Sequence, residues 1–141
     1  MEPANKNKAL FIALLLLSAA STVIYPPSFP DLSVVFVIYL SLKYESLDTI
    51  IWLLVAGLLH DGFQPNVVWI SPILFPLIFL GMNFVKENFN IKYFGVKLLS
   101  CILALIISFS AYAVFLSIKP LELLSKGLWT LALSVVVTLI P

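Results

Sequence analysis

Six apolar runs, separated by short polar or proline-rich breaks, organise the chain. The first begins after Asn5-Lys6-Asn7-Lys8 and extends from Ala9 to Tyr25, where Pro26-Pro27 stop it. Ser28-Phe29-Pro30 precede a second run, Asp31 to Leu42, that closes at Lys43 and Glu45. A third runs from Leu47 to Leu59 and ends at His60-Asp61-Gly62, and a fourth starts at Ser71-Pro72 and reaches Val85 before Lys86-Glu87. The fifth, Phe94 to Ile118, is interrupted only by Lys97, and the sixth passes Glu122 and Lys126 from Leu121 to Pro141. A helix needs about 20 apolar residues to cross the hydrocarbon of a bilayer. The second and third runs fall short, so each either tucks its polar ends into protein or a thinned bilayer, or joins the other as a re-entrant hairpin covered by protein. Lys43 and Glu45 read as a water-facing turn and favour two short spans. The pattern predicts one all-α domain over 1–141, a bundle of about six transmembrane helices.

Composition agrees with this pattern. Of 141 residues, 62% are hydrophobic and 11% charged, with a mean hydropathy of +1.11, against about 45–50% and about 25% in soluble domains. That argues against a soluble enzyme, a disordered regulator or a nucleic-acid binder. The eight cations are all lysine, so the planar fork that grips phosphates is missing. Cys101 has no partner for an intramolecular disulfide, and one histidine with one cysteine makes no structural zinc site. Neither a metal nor a cofactor is expected.

Lysine placement sets the expected orientation, because positively charged loops stay cytoplasmic. With the N-terminus inside, inner segments hold Lys6, Lys8, Lys43, Lys86, Lys92 and Lys97, and outer ones hold Lys119 and Lys126. This predicts N-in and C-in, with Lys97 snorkelling from the fifth helix. Lys86, Glu87, Lys92 and Lys97 form the most basic inner region, also suited to anionic lipid. The first run resembles a signal peptide in its early residues, but its length and the spans after it favour an uncleaved helix.

Ionisable groups at membrane depth need a reason, since each costs at least about 2.5–3.5 kcal/mol on insertion scales. Asp31 opens the second helix, where a carboxylate caps free N–H groups. Asp61 sits at the opposite, unfavourable end of the third helix. Two accounts stay open for it: a side-chain turn onto Gly62 and beyond, or a contact with His60, with a lysine of a neighbouring helix, or with another protein. Catalysis is not expected. Adjacent His60 and Asp61 do not face each other on a helix, and no Gly-x-Ser-x-Gly turn or second histidine accompanies them. Ser71 is expected to cap the fourth helix with Pro72 at its first position. Pro76 should bend that helix, and Gly57 and Gly81 should allow close helix approach. Trp52, Trp69, Tyr93 and Trp129 are candidate interface markers, and Phe75, Phe79 and Phe84 are lipid-facing or core positions.

Pro30-Asp31 before the run Leu32 to Leu42, with Tyr39, Leu40 and Lys43 near its end, resembles a passage of the MreD family of rod shape-determining proteins. Gly57-Leu58-Leu59-His60-Asp61 resembles the same family's Gly-Leu-x-x-Asp stretch. The loop from Gln64 to Trp69 and the helix start at Ser71-Pro72 resemble the loop and helix that come next in that family. The likeness covers residues 30–85 in motif. This chain departs from the family in lacking arginine, loop glycines after Asp61 and a basic tail.

The resemblance implies a non-enzymatic, multi-pass protein of the bacterial inner membrane. Such a protein binds MreC and works with MreB, RodA and its transpeptidase in cell-wall elongation. It implies a partner groove near Pro30, Asp31, Tyr39, His60 and Asp61, with membrane lipids around it and a homodimer within the complex left open. The rival reading is a solute-binding membrane subunit of an energy-coupling-factor vitamin importer, whose pocket would use Asp31, His60, Asp61, Gln64 and Asn66.

Overall fold

The computed structural model describes residues 31–63, 69–90, 92–116 and 120–139, with five further positions between 9 and 20. Five helices account for most of these residues and no strand occurs among them. They are α1 (Leu32–Lys43), α2 (Leu47–Gly62), α3 (Ser71–Asn88), α4 (Phe94–Leu116) and α5 (Pro120–Thr138). Ala9, Ile12, Ala13, Leu16 and Ala20 are helical as expected for the first run. The Pro26-Pro27 stop, Pro30, Gln64 and Asn66 lie outside the described residues.

α1 has 12 residues, about 18 Å at 1.5 Å per residue. It survives at this length because protein surrounds it: Val34, Val37, Ile38 and Leu40 are fully buried, as are Ser33 and Ser41. A helix apolar on every side is a core helix, and α1 packs against α3 and α5, with a smaller contact on α4. α2 lies chiefly on α3, and α4 on α5. Phe75 and Phe79 of α3 are the largest fully buried side chains, whereas Phe84 on the same helix is exposed.

Three helix boundaries differ from the apolar runs. α2 continues through His60 and Asp61 to Gly62, α3 continues through Lys86 and Glu87 to Asn88, and α5 stops at Thr138. Charge ends an apolar run without ending a helix, which stops only where its last carbonyls find other donors. At the end of α3, Asn88 Nδ2 donates to the Phe84 carbonyl at 2.8 Å and Phe89 N to the Val85 carbonyl at 2.8 Å.

Small hydroxyl residues let α4 and α5 approach the centre. Lys126, Thr130, Ser134 and Thr138 recur every four residues along α5, and Ser100, Ser108 and Tyr112 share one line of α4. Thr130, Ser134, Ser100 and Ser108 are fully buried. Each bonds the carbonyl four residues back, at 2.7–2.8 Å, so none brings an unsatisfied hydroxyl into the core.

Of the expected packing residues, Gly57 is the closest approach. A Cβ there would stand 2.5 Å from Pro72 N and Ser71 C. Pro72 occupies the first turn of α3, where its missing N–H costs nothing, and Pro76 is accommodated inside the helix. Gly81 corrects the expectation: a Cβ there would meet no atom within 4 Å, and the residue lines an open groove with Ser100, Leu103 and Ala104. Its hydrogen atom leaves space between α3 and α4 instead of bringing them together.

Only α4, over Phe94–Phe115, is by itself long and apolar enough to cross a membrane among the described helices; α1 and Leu124–Thr138 are shorter apolar helices. The outer surface is nonetheless rich in hydrocarbon: Ile73, Leu77, Leu80, Ile106, Val114 and Leu128 are all exposed. Trp69, Tyr93 and Trp129 are exposed as well, with Trp52 half-buried.

Candidate functional site

A buried polar node joins the five helices where α1 begins, α2 ends and α3 begins. Asp31 caps α1: its Oδ1 accepts from Ser33 N at 3.1 Å and Val34 N at 3.3 Å. The Asp31 N–H donates to Thr130 Oγ1 of α5 at 3.0 Å, while that hydroxyl donates to the Lys126 carbonyl. The second carboxylate oxygen, Oδ2, points between Lys126 Nζ at 3.7 Å and His60 Nε2 at 3.9 Å. It has no hydrogen-bond donor among the described residues.

Asp61 is the other anchor, and a tertiary contact explains its place. It belongs to the C-terminal turn of α2 but lies beside the N-terminus of α3, where free N–H groups favour an anion. Its Oδ2 accepts from Ser71 N at 2.8 Å and its Oδ1 from Ser71 Oγ at 2.6 Å. His60 Nδ1 lies 3.0 Å from the same Oδ1 and 3.1 Å from Ser71 Oγ. Because the Ser71 hydrogen goes to the carboxylate, Tyr112 of α4 donates its hydroxyl to Ser71 Oγ at 3.1 Å. The His60 ring meets Phe75 edge-on at 5.7 Å and stacks on Tyr112 at 6.4 Å. Asp31, His60, Asp61, Ser71 and Tyr112 are all buried, and the Lys126 side chain, 27% exposed, is the node's most open member.

Several expectations change. Between the two accounts of Asp61, the contact with His60 is present, and the carboxylate is drawn to Ser71 on the next helix. Adjacent His60 and Asp61 do bond, because at a helix's last turn both side chains lean across to the next helix. Ser71 is not the cap of α3. Ile70 holds the cap position without a side-chain bond, and Asp61 satisfies Ser71 N from α2. Lys126, expected in the sixth run as a charge of the outer side, is within α5 and faces Asp31. Lys97, expected to snorkel, reaches the Thr138 carbonyl at the end of α5 at 3.5 Å.

Of the residues expected to hold a partner, Asp31, His60 and Asp61 are directed inward, where they hold helices of this chain to one another. Tyr39 alone of the described set lines an open groove, of about 220 Å³, with Val35, Phe36 and Val137. Its hydroxyl accepts from Lys43 Nζ at 3.0 Å. Tyr112, Lys126 and Thr130 join the node without standing out in the sequence as site residues. The four-residue spacing of Lys126 and Thr130 on one face of α5 is the one signal the chain offers for them. No cluster of three or more His, Cys, Asp or Glu suited to a metal occurs among the described residues. No protein family, curated protein or solved structure matches the chain.

Proposed function

We propose that this chain is a non-enzymatic, multi-pass scaffold of the bacterial inner membrane, of MreD type. In this reading it holds the membrane helix of MreC and helps organise peptidoglycan synthesis by RodA and its transpeptidase along MreB. The observation that carries the reading is a convergence. Asp31, from one stretch of the resemblance, and the segment Gly57–Asp61, from the other, meet across His60, 3.9 Å from Asp31. Residues distant in sequence thus serve one structural purpose, that of locking short helices together. The apolar outer surface supports a lipid environment, in which six crossings with both termini inside keep Lys43, Lys86 and Lys92 on the cytoplasmic side.

The partner site in this reading is the groove on α1 and α5 at Val35, Phe36, Tyr39 and Val137. It replaces the buried carboxylates as the contact surface, because a helix docking in lipid packs side chains against side chains, and Phe36, Tyr39 and Val137 are only half-buried where Asp31, His60 and Asp61 are buried. Filling the groove with Val137→Trp should reduce co-purification of MreC at least about tenfold, equivalent to about 1.4 kcal/mol, with the thermal midpoint of the protein unchanged. Undiminished recovery would remove the groove from the account. Depletion of the protein should turn rods into rounded, swelling cells, and rods that persist would exclude the elongation role. The orientation has its own check: a cysteine replacing exposed Asn90 should react only with reagents that reach the cytoplasm.

A further inference from the structure

The chain has one histidine, and it stands between two carboxylates of different helices. Toward Asp61 the geometry assigns a hydrogen to the ring. The neighbouring acceptors of Nδ1 are a carboxylate oxygen at 3.0 Å and a serine oxygen whose own hydrogen is already given to that carboxylate. On the other side, Nε2 faces Asp31 Oδ2 at 3.9 Å, the buried oxygen without a hydrogen-bond donor among the described residues. A neutral ring with its hydrogen on Nδ1 points a lone pair at that anion, and the contact is repulsive. A second hydrogen turns the same contact into an ion pair.

Charge balance argues in the same direction. With a neutral ring, two buried carboxylates share one ammonium among the described residues, that of Lys126. With a charged ring, the node is neutral, as an interior of low polarity favours. We propose that His60 is a proton-operated clamp, whose second proton ties α1 to α2 and α3 through Asp31 and whose release frees α1 from that tie. Among the described residues, the groups facing it are Asp31 from α1, Asp61 from its own helix, Ser71 and Phe75 from α3, Tyr112 from α4 and, beyond Asp31, Lys126 from α5. α1 and α2 have little direct backbone packing, so this link matters to their register. α1 also carries Phe36 and Tyr39, one wall of the groove.

A single histidine gives a direct readout. In protein labelled with ¹⁵N-histidine and held in lipid nanodiscs, both ring nitrogens should be protonated at about pH 5 and only Nδ1 at about pH 9. The thermal midpoint should fall by several degrees over the same interval. That difference should shrink to less than half in Asp31→Asn and in His60→Gln. A ring state that is the same at both pH values, hydrogen on Nε2 alone at high pH, or a pH difference undiminished in both variants would overturn the clamp. The nitrogen measurement uses the unaltered protein, so it decides the matter even where a variant fails to fold.

Discussion

Replacing Gly57 with alanine should lower stability by about 3 kcal/mol, the upper part of the range for overpacking a core. The added Cβ would stand 2.5 Å from Ser71 C and Pro72 N and 2.6 Å from Pro72 Cα. All three are backbone atoms, and neither side can yield. Pro72 fixes its own backbone angle, and Asp61 holds Ser71 N at 2.8 Å. Relief therefore requires α2 and α3 to separate, which lengthens the bonds of the node. Gly81→Ala is the matched control, since open space surrounds that position; its effect should stay within about 0.5 kcal/mol. Equilibrium unfolding of both variants in mixed micelles separates the cases. Equal losses at the two glycines would contradict the close-approach account of Gly57.

Asp61→Ala should be as damaging or more so, at about 3–5 kcal/mol, the usual penalty for removing one partner of a buried ionic network. The change leaves Ser71 N, Ser71 Oγ and His60 Nδ1 without their carboxylate in a site hidden from water. Ser71→Ala should be milder, about 1–2 kcal/mol, because the backbone N–H at position 71 keeps its bond to Asp61 and only the hydroxyl bonds are lost. The double variant should lose clearly less than the sum of the two, as residues of one network do. Simple additivity, measured by the same unfolding titrations, would mean that Asp61 and Ser71 act independently.

Both predictions rest on features half visible in the chain. A small residue in an apolar run points to close helix approach, which is right for Gly57 and wrong for Gly81. A glycine permits close approach, but only the partner helix determines whether approach happens. Ser71-Pro72 marks a helix start correctly to within one residue, yet the group that satisfies its first N–H comes from ten residues earlier on another helix. Lys126 and Tyr112 are hidden for a similar reason. A lysine in an apolar run reads as a topology signal, and a tyrosine as one more large side chain. Neither carries a mark of the carboxylate or hydroxyl it will meet.

Local and compositional outcomes are written in the amino-acid order alone. Apolar runs long enough for several turns must become helices, Asp31 must cap the one it opens, and a chain so poor in charge must place hydrocarbon on its surface. Those outcomes depend on residues within a turn of each other or on sums over the chain. Which polar residues meet is a matter of tertiary packing. Asp31, His60, Asp61, Ser71, Tyr112 and Lys126 come from five helices, and their pairing depends on which faces pack, which no short-range pattern encodes. The physical reason is the high penalty for an unpaired charge away from water. It requires each buried ionisable group to find a partner without specifying in the sequence where that partner lies.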